Sequence, residues 1–197
     1  MKNQIILLFL ILTTSFVFGQ QADGYVITRR TNNLTELDSV FGQITFPSNG
    51  ILSSIKIKTI NGKKKFKPNN IIGFKAGETY FSSIPYGGNN VFAERLINGP
   101  IELYYYTTKL DYRAFGGGLV GGLYAMTVNS VSSRFFVKSI KTNGYLLVPR
   151  SSKKVIDEIA FIFEDNKEIY DSFKTVNYKT EEIIEFVKKY NESINNQ

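Results

Sequence analysis

The spacing of apolar residues changes character once along this chain. As far as Pro149, apolar and polar residues alternate in short runs separated by glycine, asparagine and proline; beyond it, apolar residues recur every three or four positions. A period of two belongs to a strand with one buried face, and a period near 3.6 to an amphipathic helix. Strands first and helices last predict an α+β protein: an antiparallel sheet or partly open barrel over about 24–149, then two to three helices over about 151–194 covering one face or end of it. The β-rich region, 20–149, and the helical region, 150–197, are expected to pack as one domain.

The clearest element is Ser53 to Pro68, where two alternating runs meet at Asn61-Gly62, the strongest short hairpin signal a sequence offers. A two-residue turn there pairs Ile60 with Lys63, Lys58 with Lys65, Ile57 with Phe66 and Lys56 with Lys67. Ile55, Ile57 and Phe66 then share one face, and Lys56, Lys58, Lys63, Lys65 and Lys67 the other. Like charges directly opposite one another weaken pairing, so the lysine face must look into water or at something acidic.

Gly24–Arg30 and Val40–Phe46 read as strands, with the polar 35–38 stretch undecided between them. Ile71–Lys75 and Thr79–Ile84 form a hairpin about Ala76-Gly77-Glu78, and Pro85–Asn90 a loop. Val91–Asn98 and Ile101–Tyr106 pair next. Pro100 has no N–H to close a two-residue turn at Asn98-Gly99, so a four-residue loop with Leu96 opposite Ile101 is expected. That register sets Arg95 across from Glu102, puts Phe92, Leu96, Ile101, Leu103 and Tyr105 on the core face, and leaves Tyr104 and Tyr106 on the other. Arg134–Lys141 and Tyr145–Pro149, joined by Thr142-Asn143-Gly144, are apolar on both faces and so interior. The glycine-rich 114–126 stretch loses too much backbone entropy for a helix or central strand and reads as a loop.

In the helical part, Val155, Ile156, Ile159, Ala160 and Phe163 form a stripe behind an N-cap at Ser151 or Ser152. Asp165-Asn166-Lys167-Glu168 has the spacing of a capping box for a second helix through Phe173. Thr180 heads a third, with Glu181 and Glu182 in its first turn, Lys188-Lys189 in its last, and Ile183, Ile184, Val187, Tyr190 and Ile194 as its buried stripe.

Composition adds a compartment. Lys2, the apolar run Ile5–Phe18 and the sequence Val17-Phe18-Gly19 read as a signal peptide over 1–19, cut at 19 or 20. The run falls short of the roughly 18 to 20 residues that span a bilayer, and no later stretch replaces it. A secreted, periplasmic or outer-envelope protein is therefore expected, with no transmembrane span after cleavage. The chain has no cysteine and no histidine, which removes disulfides, thiol nucleophiles, the commonest general base and the commonest metal ligand. Its 24 basic and 17 acidic residues leave a net charge of +7. Once Lys2 is lost with the leader, the lysines at 56, 58, 63, 64, 65 and 67 account for the whole remaining excess. Such a charge is a patch rather than a generally basic surface.

Candidate chemistry is sparse. Gly116 to Gly121 matches G-x-G-x-x-G, but no strand–helix setting surrounds it and no acidic residue occurs between Asp111 and Asp157, so neither a dinucleotide nor any other cofactor is expected. Ser151-x-x-Lys154 reads as a helix cap with solvated lysines. Glu94 and Glu102 fall on opposite faces of one hairpin, which denies glycosidase chemistry its facing carboxyl pair. Asp157-Glu158, Glu164-Asp165 and Glu181-Glu182 read as helix-end or surface charges. No catalytic residue and no metal ligand is assigned.

The leading reading is a non-enzymatic binding or structural protein of the cell envelope. Its lysine ladder would meet an anionic glycan or lipid, or an envelope protein; alternatively, the lysines only keep an edge strand from pairing with other chains. The ladder face has no interleaved aromatic, which argues against nucleic acid. Tyr86, Tyr104 and Tyr106 form either a sugar-stacking platform or an ordinary half-buried sheet face. The competing class is a carboxylate-based hydrolase of envelope glycans built around 107–131, and a third is a subunit of an envelope complex.

Five patches, Gly24-Tyr-Val-Ile-Thr28, Phe66–Phe74, Phe92–Tyr104, Phe135-Phe-Val-Lys138 and Phe163-Glu-Asp-Asn166 with Tyr178 and Val187–Asn191, together resemble a set of small secreted proteins from Bacteroidetes to which no biochemical function is attached. The resemblance implies a signal peptide, a β-rich front, a helical tail and a periplasmic or outer-envelope location. It supplies no catalytic residues, and the 114–126 stretch departs from its pattern.

Overall fold

A computed structural model of the chain describes residues 21–30, 33–47, 52–108, 133–175 and 182–195. The signal segment, the glycine-rich 114–126 stretch, Thr180 and Glu181 lie outside them. The described strands are β1 (Gln21–Arg30), β2 (Asn33–Thr45), β3 (Ile55–Thr59), β4 (Gly62–Phe66), β5 (Gly73–Ala76), β6 (Thr79–Tyr86), β7 (Asn89–Ile97), β8 (Ile101–Tyr106), β9 (Arg134–Ser139) and β10 (Leu146–Leu147). All pair antiparallel in one sheet ordered β10-β9-β8-β7-β6-β5-β1-β2-β3-β4. Its ends, β10 and β4, do not meet, so the sheet is open rather than a barrel. After β4 the chain returns through a short 3-10 turn, Pro68–Asn70, and lays β5 against β1 instead of β4.

Two turns differ from expectation for one physical reason. The type I′ hairpin turn, which matches sheet twist, needs positive φ at both central residues. Gly87 and Gly88 supply it, at φ +60° and +82°, so Tyr86 pairs directly with Asn89 and the expected 85–90 loop is a tight hairpin. Asn61 does not adopt positive φ; only Gly62 does, at +111°, and the turn residues become Ile60 and Asn61. Lys58 therefore pairs with Lys63, Lys56 with Lys65, Ile57 with Lys64 and Ile55 with Phe66, two places away from the expected register. The threonine before the turn secures it: Asn61 N–H donates to Thr59 Oγ1 (3.1 Å). A slip of two keeps every side chain on its predicted face, where a slip of one would have exchanged them.

One face, here the inner face, holds most of the core. Val26, Ile44, Ile55, Ile57, Phe74, Phe81 and Phe92 form one buried cluster, in which Phe74 stacks on Phe81 (4.7 Å) and meets the edge of Phe92 (5.0 Å). Gly24 and Gly42 face each other in β1 and β2, and a Cβ on either would collide with a neighbouring carbonyl, that of Lys75 or Lys58. Both absent side chains would point toward the core residues Ile44 and Ile57.

The helical part covers the inner face of β8 and β9. Helix α1 (Ser152–Ile159) runs into a 3-10 turn (Ala160–Phe163), followed by α2 (Lys167–Thr175) and α3 (Glu182–Asn195). Val155, Ile159, Phe163, Phe173, Ile183, Ile184, Val187 and Tyr190 pack with Ile101, Leu103, Tyr105, Phe135 and Val137, as the 3.6 periodicity requires. Caps differ in detail. Ser151 is the N-cap of α1 by its backbone, with no side-chain bond. The expected capping box at Asp165 is replaced by Asn166, whose Oδ1 accepts the Ile169 N–H (3.1 Å), because Asp165 is engaged by Tyr190 and Lys141. Helix α3 continues to Asn195, so Lys188 and Lys189 are interior to it rather than in its last turn. Among the described residues no helix is long and apolar enough to cross a membrane.

Candidate functional site

The hairpin of β3 and β4 is anchored on one side and open on the other. Ile55 and Ile57 are buried on the inner face, while Lys56, Lys58, Lys63 and Lys65 project from the outer face and are exposed. Lys67, just beyond β4, is exposed, as is Lys64, which lies across from Ile57 on the sheet's terminal strand. No carboxylate among the described residues lies within ion-pair distance of these six lysines.

The neighbouring strands supply what the hairpin lacks. Gln43 pairs with Lys58, so Phe41, two residues along β2, shares the outer face with the ladder. Phe41 pairs with Tyr25, Tyr25 with Lys75, and Lys75 with Tyr80. Phe41 is 69% exposed and its ring lies 5.7 Å from that of Tyr25, inclined by 55°. Extending the Gln43–Lys58 register by two places sets Ile60 across from Phe41. Tyr25, Phe41, Lys58, Ile60 and Lys75 line one open cleft of about 760 Å³ whose floor includes Gly24 and Gly42. The lysine face of the hairpin alone therefore lacks aromatics, and the assembled face does not.

The band continues across the sheet. Arg95 lies over the Tyr80 ring (4.6 Å) and binds Glu102 (3.1 Å), which also meets Lys138 (3.2 Å) and accepts the Tyr104 hydroxyl (3.0 Å). The expected Arg95–Glu102 pair is thus present but diagonal: a bulge at Leu96 pairs Arg95 with Tyr104 and Ile97 with Leu103, displacing the Leu96–Ile101 register.

Tyr86, Tyr104 and Tyr106 do not form one platform. Tyr104 is 2% exposed, packed edge-on to Tyr145 (5.2 Å) in a buried outer-face cluster with Ile84, Ala93 and Phe136. Burial, with the neighbouring Tyr145 and Glu102, holds its hydroxyl far above the usual tyrosine range. Tyr86 and Tyr106 are half-buried and adjoin at 5.6 Å. Tyr106 lines a second cleft, of about 360 Å³, with Lys67, Asn69, Asn89 and Asn90. Asn69 there accepts the Asn90 N–H (3.1 Å). Lys58 and Lys67 thus belong to separate clefts, and Tyr104 to neither.

Among the described residues the carboxylates do not assemble a pair. Glu94, opposite Tyr105, points to the inner face and is 5% exposed, while Glu102 lies on the outer face. Burial raises the Glu94 carboxyl to about 7, and its Oε2 has no hydrogen-bond partner among the described residues. Asp157, Glu158 and Glu164 are exposed. Asp165 accepts the Tyr190 hydroxyl (2.8 Å) and meets Lys141 (2.8 Å). Its partial burial works against ionisation, but the bonds from Lys141 and Tyr190 outweigh it and hold the carboxyl below its ordinary range. Ser151 and Lys154 are exposed at the start of α1. Among the described residues no group of three or more acidic side chains is placed to hold a metal ion.

Sequence reasoning missed Tyr25 and Phe41. The alternation Leu37, Ser39, Phe41, Gln43 carried part of the signal, since it puts a phenylalanine on the polar face of β2. Compared with protein-family models, curated proteins and solved structures, the chain finds no match.

Proposed function

We infer that this is a secreted or periplasmic protein of the cell envelope that works by binding rather than catalysis, with the lysine hairpin as its contact surface for an anionic ligand. What supports the reading is the way the ladder is displayed: Ile55 and Ile57 fix the ribbon into the core, and four lysines stand on its opposite face with no carboxylate partner among the described residues. A ribbon held by packing presents its lysines from a fixed backbone, so less loop entropy opposes binding. The same lysines also keep β4, the terminal strand, from pairing with other chains; the two roles are compatible and separable by measurement.

The test replaces Lys56, Lys58, Lys63 and Lys65 together with glutamine. Attachment of the purified protein to immobilised acidic polysaccharide and to vesicles containing phosphatidylglycerol is followed across a salt series. Weaker attachment with a flatter salt dependence is expected, because fewer counterions are released on contact. Attachment equal to that of the unaltered protein at every salt concentration would remove the proposal, and aggregation of the variant alone would leave the lysines with the edge-protecting role.

A further inference from the structure

Ile60 is misplaced for a protein in water. It occupies a hairpin turn, where glycine, asparagine, aspartate, serine and proline are favoured, and it is 101% exposed. Phe41, the residue across from it by register, is 69% exposed, and Leu37, four places earlier on the same face of β2, is 61% exposed. Single exposed apolar residues need no explanation, but Phe41 and Ile60 line the same cleft and form a patch, with Leu37 further along the same face. Lysines surround it. Lys58 and Lys75 line the cleft, and Lys63 stands opposite Lys58. Among the described residues the acids beside the cleft are Asp23 and Glu78, with Asp38 next to Leu37; Glu78 lies 3.9 Å from Lys75 and is almost wholly exposed. The surface therefore stays positive.

We propose that this surface docks on an anionic lipid bilayer, with Ile60 and Phe41 entering the headgroup–acyl boundary while Lys58, Lys63 and Lys75 lie among the anionic headgroups. The inference rests on the anionic-ligand reading and narrows it to one class. A bilayer interface offers an apolar phase and a negative surface within a few ångströms of each other, which suits an aliphatic tip ringed by ammonium groups. An acidic polysaccharide would use the lysines, but an isoleucine side chain gives it neither a hydrogen bond nor a flat stacking face. Single-stranded nucleic acid needs successive aromatic faces for successive bases. Here Tyr25 and Phe41 are inclined by 55°, leaving Phe41 as the one well-exposed ring. The ribbon is also prepared for insertion, since Ile55 and Ile57 hold its base in the core while the tip stands clear.

The test compares the unaltered protein with Ile60→Ser, Phe41→Ser and Lys58→Gln/Lys63→Gln in sedimentation with vesicles of phosphatidylcholine alone or with phosphatidylglycerol. Parallel binding to soluble polyuronate and to a single-stranded oligonucleotide completes it. Expected are preference for the anionic vesicles, a loss of about tenfold for each apolar substitution, a loss for the lysine variant, and polyuronate binding untouched by Ile60→Ser and Phe41→Ser. Circular dichroism confirms folding of each variant, and Ile60→Ser, at a fully exposed site, carries the test should Phe41→Ser fail to fold. Vesicle binding that follows the lysines but ignores both apolar substitutions would overturn the bilayer proposal while leaving the anionic-ligand reading in place. Oligonucleotide binding lost in Phe41→Ser alone would overturn it in favour of base stacking. Absence of binding to all three anionic probes would end both.

Discussion

The side-chain amide of Asn191, on α3, closes a two-bond ring with the backbone of Ile101, on β8: the Ile101 N–H donates to Oδ1 (3.0 Å), and Nδ2 donates to the Ile101 carbonyl (2.8 Å). Ile101 pairs with Ser139 on its other side, but the bulge at Leu96 leaves it without a strand partner toward β7. The asparagine amide, with the donor and acceptor of a peptide group, stands in for that strand. Gly99 leaves room for it, since a Cβ there would sit 2.6 Å from Asn191 Nδ2. Asn191→Leu should strip both backbone groups of their partner in a buried site and cost about 2–4 kcal/mol. Urea denaturation measures the loss; a midpoint within error of the unaltered protein would show that water or backbone movement replaces the amide.

Glu94 should make stability fall with rising pH. Its carboxyl is raised to about 7 by burial, from an ordinary 4.5, so the unfolded chain releases the proton first. Between those values the fold must retain a proton that the unfolded chain has given up, and stability declines; above about 7 the loss is complete and constant. The full effect is about 3 kcal/mol. Glu94→Gln should abolish that slope, raising stability at pH 8 relative to the unaltered protein far more than at pH 4. Parallel urea curves at the two pH values decide it, and equal differences at both would show that Glu94 ionises normally in the fold.

Gly42→Ala should lower stability by about 1–3 kcal/mol, because the new methyl meets the Lys58 carbonyl and β3 must move to admit it. The displacement bears on the strand that carries Lys56 and Lys58, so amide hydrogen exchange in 55–59 should quicken beyond the global change. Uniform acceleration across the sheet would show that the strain spreads instead of loosening the hairpin.

Alkaline titration followed by tyrosine absorbance should reveal late-titrating hydroxyls. Burial raises Tyr80, Tyr104 and Tyr106, and for Tyr190 burial with the adjacent Asp165 carboxylate raises the hydroxyl to about 12. These four should titrate above the ordinary tyrosine range and make the fold less stable above pH 10, since the unfolded chain loses those protons more readily. Tyr104→Phe should remove one late-titrating group. A single transition near the ordinary value of 10 with the fold intact would refute the assignment.

Much of the architecture was legible because the governing patterns are local. The α3 stripe of Ile183, Ile184, Val187 and Tyr190 is buried as its spacing requires, and the segregation of Ile55 and Ile57 from Lys56 and Lys58 survives even though the turn moved. Turn identity was less legible. Asn61-Gly62 and Gly87-Gly88 both carry the tight-hairpin signal, but only in the second do both residues take positive φ. The Leu96 bulge escaped prediction for a different reason: it depends on Asn191, 90 residues from Ile101, being there to satisfy the strand it frees.

By itself the sequence determined the alternation of each strand, the helical stripes and the gathering of positive charge on one hairpin, since these follow from the two periods at which side chains return to a face. Only the tertiary structure decided what stands beside the lysines. Lateral strand order comes from burying the inner face as a whole, and it put β1 between β2 and β5. Through that placement Tyr25 and Phe41 came to share a cleft with Lys58 and Lys75, a neighbourhood no local pattern encodes.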